Sequence, residues 1–147
     1  MAALSVVRVL APEDASVLDS VAEGVFDHEL DSRLVREFLD DPRHHLAVAI
    51  LDGVVVGMAS ALHYVHPDKP AELWINEVGV TESARGRGFG RLLVQALLDH
   101  GQFLECRAAW VLTEPGNEAA KALYGGRGGT PEAARLFSWR LDEPPQP

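Results

Sequence analysis

Disulfide bonding, structural zinc and a membrane span all lack the residues they need here. A single cysteine, Cys106, stands among 147 residues, so no internal disulfide can form. No Cys or His spacing matches a structural zinc pattern. His63 and His66 form HxxH, but in a β-like run an i, i+3 pair points to opposite faces, so no metal site is expected. No apolar stretch approaches the roughly 18 to 20 residues that cross a bilayer, and Met1 to Val9 lacks a basic segment leading into a long apolar one. A soluble, cytoplasmic protein with no membrane partner is expected. Basic residues are scarce too: 13 Lys and Arg face 22 Asp and Glu, a net charge of −9. Nucleic acid is not an expected partner, because phosphate binding draws on clustered Lys and Arg.

What is present is an ordinary globular composition, 47% hydrophobic and 24% charged, at the length of one domain. One domain over residues 1–147 is expected, with Glu143 to Pro147 as a frayed, proline-rich tail. The acids are unevenly placed: 10 of them lie between Ala11 and Asp41, against Arg33 and Arg36 alone. They read either as the solvated face of surface helices or as a wall that attracts a cationic substrate.

Along the chain, Val6 to Leu10 reads as a strand, and Pro12 with Glu13 and Asp14 as a helix start. Leu18, Val21, Ala22 and Val25 then fall at helical spacing. After a turn over Asp27 to Asp31, Leu34, Val35, Phe38 and Leu39 predict a second short helix, stopped by Asp41 and Pro42. Leu46 to Leu51 and Val54 to Tyr64, joined by Asp52 and Gly53, predict a hairpin with a type I′ turn. His66 to Ala71 is a loop and Leu73 to Val80 a third long strand, with Gly79 suggesting a bulge. Phe89, Leu92, Leu93, Ala96 and Leu97 predict a helix that Gly101 either ends or completes, and Ala108 to Thr113 another strand. Asn117 caps a helix running to Tyr124 with Gly125 and Gly126 as its stop, and Arg135 to Leu141 reads as a last strand. Hairpin strands followed by a βαβ crossover make a mixed α/β domain.

Between the third long strand and its following helix stands Arg85, Gly86, Arg87, Gly88, Phe89, Gly90, with Arg91 next. A phosphate group suits this place. Helix starts leave N–H groups unpaired at the positive end of the dipole, and glycines let backbone close on a pyrophosphate. Three arginines in an acidic protein reverse the local sign. The segment lacks the Lys and Ser/Thr of a P-loop, and its GxGxG spacing differs from the GxGxxG of dinucleotide sites.

With Val80 upstream, the segment reads V-x4-R-x-x-G-x-G, and Asn117, Ala120, Leu123, Tyr124 and Gly128 follow as N-x-x-A-x-x-L-Y-x-x-x-G. On these two ordered motifs the chain resembles the GNAT superfamily of N-acetyltransferases, over roughly Val6 to Leu141. It departs at Gly129, where an aromatic residue is common, and in the glycine-rich stretch Gly125 to Pro131, which leaves the last hairpin open.

The resemblance implies a GNAT-like fold: antiparallel N-terminal strands, a splayed parallel pair and flanking helices in a single domain. It implies acetyl-CoA as cosubstrate, with no metal. Val78 and Val80 would offer backbone groups to the pantetheine arm and the acetyl carbonyl. Arg85, Gly86, Arg87, Gly88, Phe89, Gly90 and Arg91 would hold the pyrophosphate, with Asn117 among the cofactor contacts. A protonated amine must lose a proton before it attacks a thioester, and Glu77 is the candidate base, where many relatives carry an acid. Its alternative is a strand-end acid bonded to backbone. Tyr124, matched by motif, would protonate the departing thiolate; its alternative is core packing. A covalent route through Cys106 has no visible partner base.

Within the superfamily the chain looks most like the small aminoglycoside 3-N-acetyltransferases of the gentamicin-modifying type, which confer antibiotic resistance. Asp27, His28, Glu29 and Asp31 are the candidate substrate contacts, since the first two helices wall the acceptor cleft in such folds. Acetylation of a peptide amine or a small metabolite is the alternative reaction. A non-catalytic module that binds CoA is the alternative of another class. Relatives are often dimers, so a homodimer is an open expectation.

Overall fold

The fold is described from a computed structural model over residues 4–144. Met1 to Ala3, and Pro145 to Pro147 of the expected tail, lie outside the described residues. Five strands form one sheet in the order β1-β2-β3-β4-β5: β1 Ser5–Val9, β2 His44–Leu51, β3 Val54–Tyr64, β4 Glu72–Val80 and β5 Ala108–Val111. The first four pair antiparallel with one another, and β5 runs parallel to β4. A parallel pair needs a crossover, which is α2, Phe89–Phe103. The other α-helices among the described residues are α1, Ser32–Asp40, and α3, Glu118–Gly126.

Binary patterning decides the two faces of the sheet. Ala47, Ala49, Ala59, Ala61, Leu73 and Ile75 point to one side, where Phe89, Leu93, Val94 and Leu97 of α2 cover them. The alanines keep this face shallow enough for the helix to sit close. Leu46, Val48, Val55 and Met58 point to the other side and pack with Leu10, Leu18, Val25 and Leu39. Gly101 lies inside α2, where a Cβ would come within 3.1 Å of Leu73 Cδ2. The hairpin turn has Asp52 at φ 49° and Gly53 at φ 81°, the two positive values a type I′ turn requires.

Four expectations need correction. The apolar stripe Leu18, Val21, Ala22, Val25 does not form an α-helix: Pro12–Asp19 is a 3-10 helix that stops where β3 captures the chain. Val55 donates to the Ser20 carbonyl and accepts from Ala22 N–H, both at 2.9 Å, so residues 20–22 run extended beside β3. The bulge in β4 is not at Gly79. It lies at Asn76, between the pairs Ala61↔Ile75 and Ser60↔Glu77. Gly79 is needed for a different reason, because any Cβ there would collide with the Val25 carbonyl oxygen. Gly125 and Gly126 remain helical, Arg127 is the C-cap of α3, and the left-handed residue is Gly128, with φ 87°. A Cβ at Gly129 would sit 2.9 Å from the Tyr124 carbonyl oxygen, which accounts for the missing aromatic residue.

The fourth concerns Arg135 to Leu141, which is irregular rather than a strand. A strand forms only against a partner, and the outermost strand, β5, pairs with β4 alone over four residues. Leu136, Phe137, Trp139 and Leu141 of this segment are 72–93% exposed.

Beneath the N-terminal half of β4, on the α2 side, three imidazoles form a chain. His45 Nε2 meets His63 Nδ1 at 2.8 Å, and His45 Nδ1 meets His100 Nε2 at 3.0 Å. The central ring uses a different nitrogen toward each neighbour, so the three cannot converge on one metal ion. Among the described residues no group of three or more His, Cys, Asp or Glu side chains is placed to hold one. Burial, with the neighbouring imidazoles His100, His63 and His44 adding to it, pushes His45 down to about 4; burial also lowers His63 and His100. Arg43 opposes charge on His63, and Asp41 favours it on His45 and His63. Because the folded value lies below the unfolded 6.5, neutral His45 stabilises the protein fully above pH 6.5, and that stability is lost as pH falls toward 4. The full shift corresponds to roughly 3 kcal/mol at most. Urea unfolding should show the protein weakening between pH 6.5 and 4.5. His45→Gln, which can still bond both neighbours, should flatten that slope; an unchanged slope would show that the chain of imidazoles is not its source.

Candidate active site

The backbone of β4 decides what the site can hold. Thr81 N–H donates to the Val56 carbonyl at 2.8 Å, so residue 81 turns its backbone groups toward β3. Strand alternation then turns the N–H and C=O of Val80 and Val78 the other way, toward β5. The pairing of β4 with β5 ends at Ile75↔Val111. Among the described residues, the β5-facing edge of β4 beyond Ile75 therefore has no strand partner. Val80 C=O instead accepts from Arg85 Nε at 3.1 Å, which ties the guanidinium to the junction of strand and loop.

This open edge leads into the glycine-rich segment. Gly86 and Gly88 have φ 74° and 84°, a region that favours glycine, and nothing lies within 4 Å of where a Cβ would stand on either. Gly88 is the N-cap of α2 and no side chain caps the helix. The first intrahelical bond is Leu92 N–H to the Gly88 carbonyl at 3.2 Å. The preceding N–H groups, at Phe89, Gly90 and Arg91, have no intrahelical acceptor and face the positive end of the dipole. Phe89 is buried and anchors the helix start, with the Arg87 guanidinium 5.7 Å from its ring. Arg85, Arg87 and Arg91 are exposed. Gly90 lets α3 approach, since Leu123 Cδ2 would lie 3.5 Å from a Cβ there.

Tyr124 sits half-buried on α3 against the same apolar cluster that Val78 and Val80 border. Burial pushes its phenol up, so the ring stays protonated at neutral pH. Asn117 accepts from Ala120 N–H at 3.0 Å, so its carbonyl oxygen serves as the N-cap of α3. Cys106 has its thiol pushed up by burial, which disfavours the thiolate.

Glu77 lies on the opposite face of the sheet from Val78, and the bulge is what puts it there. With Asn76 looped out, Glu77 stands opposite Ser60, two residues along β3 from Leu62, the partner of Trp74. Glu77 and Trp74 thus share a face, and Glu77 is exposed. The acidic turn reaches the same face. Val25 packs on Gly79, Thr81 Oγ1 donates to the Glu23 carbonyl at 2.7 Å, and Asp27, His28 and Glu29 follow, all exposed. Asp31 is the N-cap of α1, accepting from Arg33 N–H at 2.8 Å and Leu34 N–H at 3.3 Å, so one of its oxygens is committed to the helix.

Thr81, which docks the acidic turn onto β4 together with Gly79, went unmarked in the sequence. A polar β-branched residue directly after an apolar strand was the available signal for Thr81. Two shallow hollows, of about 330 Å³ beside Arg43, His63 and Tyr64 and about 350 Å³ between the 3-10 helix and α1, take no lining residue from β4, β5 or the glycine-rich segment.

Solved structures share this architecture. An aminoglycoside acetyltransferase from an uncultured soil metagenomic sample, in complex with sisomicin, superposes with a TM-score of 0.78 at 15% identity, covering 93% of this chain and 96% of that one. The aminoglycoside N-acetyltransferase AAC(6')-Iy in complex with CoA gives 0.77 at 20% identity, over 96% and 97%. At such identities the likeness is one of fold. Two curated proteins called L-2,4-diaminobutyric acid acetyltransferase also match. That of Nocardia farcinica is 34% identical over 77 residues, 52% of this chain and 39% of that protein. That of Shouchella clausii is 32% identical over 89 residues, 60% and 47%. The matches thus span less than half the length of either curated relative. Residues 14–128 match the family described as Acetyltransferase (GNAT) family. That stretch holds the open β4 edge, the glycine-rich segment and α3, and this chain belongs to that family.

Proposed function

We propose that this chain transfers acetyl from acetyl-CoA to a primary amine of a cationic acceptor, directly and without an acyl-enzyme intermediate. The observation that carries the reading is the continuity of the unpaired Val78–Val80 edge with the uncapped start of α2. A pantetheine arm contains amides and bonds such an edge as a strand would, while a diphosphate accepts from the N–H groups at the mouth of α2. Arg85, Arg87 and Arg91 add charge complementary to the phosphates.

The two faces of the sheet then divide the labour. Cofactor lies on the α2 side and acceptor on the Glu77 side, and they meet through the gap between β4 and β5. The Glu77 carboxylate takes a proton from the acceptor ammonium, directly or through water. The freed lone pair attacks the thioester carbon while Val78 N–H donates to its oxygen, a role whose removal elsewhere costs roughly 3 to 4 kcal/mol. The C–S bond breaks, the Tyr124 hydroxyl protonates the departing thiolate, the new amide nitrogen releases its second proton to solvent, and the neutral amide product leaves. Tyr124 then regains its proton from solvent, and Glu77 returns its own to solvent.

An aminoglycoside, acetylated at the 3-amino group as the motif likeness implies, is the acceptor we favour. The acidic turn suits a polycation, and the sisomicin-bound neighbour shares the fold. The two curated relatives favour a second reading, a small diamino acid.

Gly88→Ala forces a Cβ into a left-handed position, a cost of about 1 to 2 kcal/mol that the loop relieves by relaxing in the free protein and that CoA binding must restore. Calorimetry should show CoA affinity falling about tenfold while the thermal midpoint moves little. Acetylation is tested by thiol release with kanamycin, gentamicin, L-2,4-diaminobutyrate and a lysine peptide as acceptors, the acetylated position being read by NMR. Tyr124→Phe and Glu77→Gln should each lower kcat by about 100-fold or more with CoA affinity kept. Tight CoA binding without turnover of any acceptor would instead mark a CoA-binding module.

A further inference from the structure

The helical layer on the Glu77 side covers only part of the sheet. Its apolar cluster takes residues from β2 and β3 and none from β4 or β5. On the uncovered part stand three aromatic rings from three adjacent strands. Trp74 of β4 and Trp110 of β5 are cross-strand partners, with ring centroids 5.1 Å apart and planes 11° from parallel. Tyr64 of β3 stacks on both, at 6.2 Å and 18° from Trp74 and at 6.5 Å and 13° from Trp110. Half-exposure of large aromatic rings is the feature to explain, since Tyr64 is 40% and Trp110 39% open to solvent.

Position and charge together select an occupant. The bulge at Asn76 brings Glu77 onto the face of Trp74 as its neighbour along β4. The acidic turn borders the same face through the contact of Val25 with Gly79. At the far rim Glu72 is held by Arg107 at 3.3 Å and His66 at 3.2 Å, which leaves that end close to neutral. Aromatic faces attract ammonium groups and pack against saturated rings, while carboxylates beside them select cations. A ligand offering both is an amine-bearing saturated ring.

We infer that Trp74, Trp110 and Tyr64 form the floor of the acceptor cleft and bind an amino sugar by ring stacking, directing one amine to Glu77. The inference rests on the acetyltransferase reading and names the residues that select a ring-bearing acceptor over the diamino acid. An acyclic diamino acid has charge but no ring face, so the floor discriminates against it.

Trp139, in the exposed C-terminal segment, is the third tryptophan of the sequence. In a Trp139→Phe background, emission reports the Trp74 and Trp110 pair alone. Titration with kanamycin should change that emission saturably, with a midpoint near the kanamycin KM, and L-2,4-diaminobutyrate should do so only weakly. Trp110→Ala should raise the kanamycin KM about tenfold with acetyl-CoA affinity unchanged, and Trp110→Phe should restore most of it. Kanamycin turnover with neither an emission change nor a KM effect overturns the floor and leaves the acetyltransferase reading standing. Saturable emission change without turnover of any amine keeps the floor and sinks that reading. Emission that depends on protein concentration, with a dimer in sedimentation and no response to kanamycin, assigns the patch to a second copy of the chain and overturns the proposal.

Discussion

Backbone hydrogen bonding that β4 begins and does not finish organises this molecule. Up to Ile75 the strand is paired on both sides, and past it only the β3 side is satisfied. Unpaired peptide groups bordering an apolar cluster are costly unless water or a ligand meets them. The chain keeps them open because β5 is only four residues long, while α2 and α3 pack in the apolar cluster on one face of the sheet. Every other functional feature is arranged around that edge. Arg85 holds its upper end, the uncapped start of α2 continues it, and the bulge sets Glu77 on its far side.

Much of this was legible in the residues, and the reason is local. A two-residue Asp-Gly turn with positive φ at both positions and an Asn N-cap at 117 are decided by neighbours a few positions away. The glycine-rich segment could be read as a phosphate cradle because glycine and helix-start chemistry do not depend on the rest of the fold. Gly86 and Gly88 take the left-handed conformation that glycine permits.

The misreadings share a cause as well. The stripe Leu18 to Val25 has helical period, yet Ser20 and Ala22 bond to Val55, 33 residues from Ala22, and long-range pairing overrides periodicity. Gly79 looked like a bulge because strand glycines often are, but it answers a close approach by Val25 that no local pattern displays. The real bulge, at Asn76, carries no glycine and moves Glu77 to the face of Trp74. Likewise Arg135 to Leu141 has the alternation of a strand, and alternation alone does not supply a partner.

The claim on which everything turns is that the Val78 and Val80 amides wait for a ligand. Residue-resolved amide hydrogen exchange measures this directly, with and without CoA. Both amides should exchange rapidly in the free protein, while Gly79, turned toward β3, is protected. Saturating CoA should slow Val78 and Val80 together with the amides of residues 88–91. Protection of Val78 and Val80 already present in the free protein, or CoA-induced protection confined to other segments, would contradict the account.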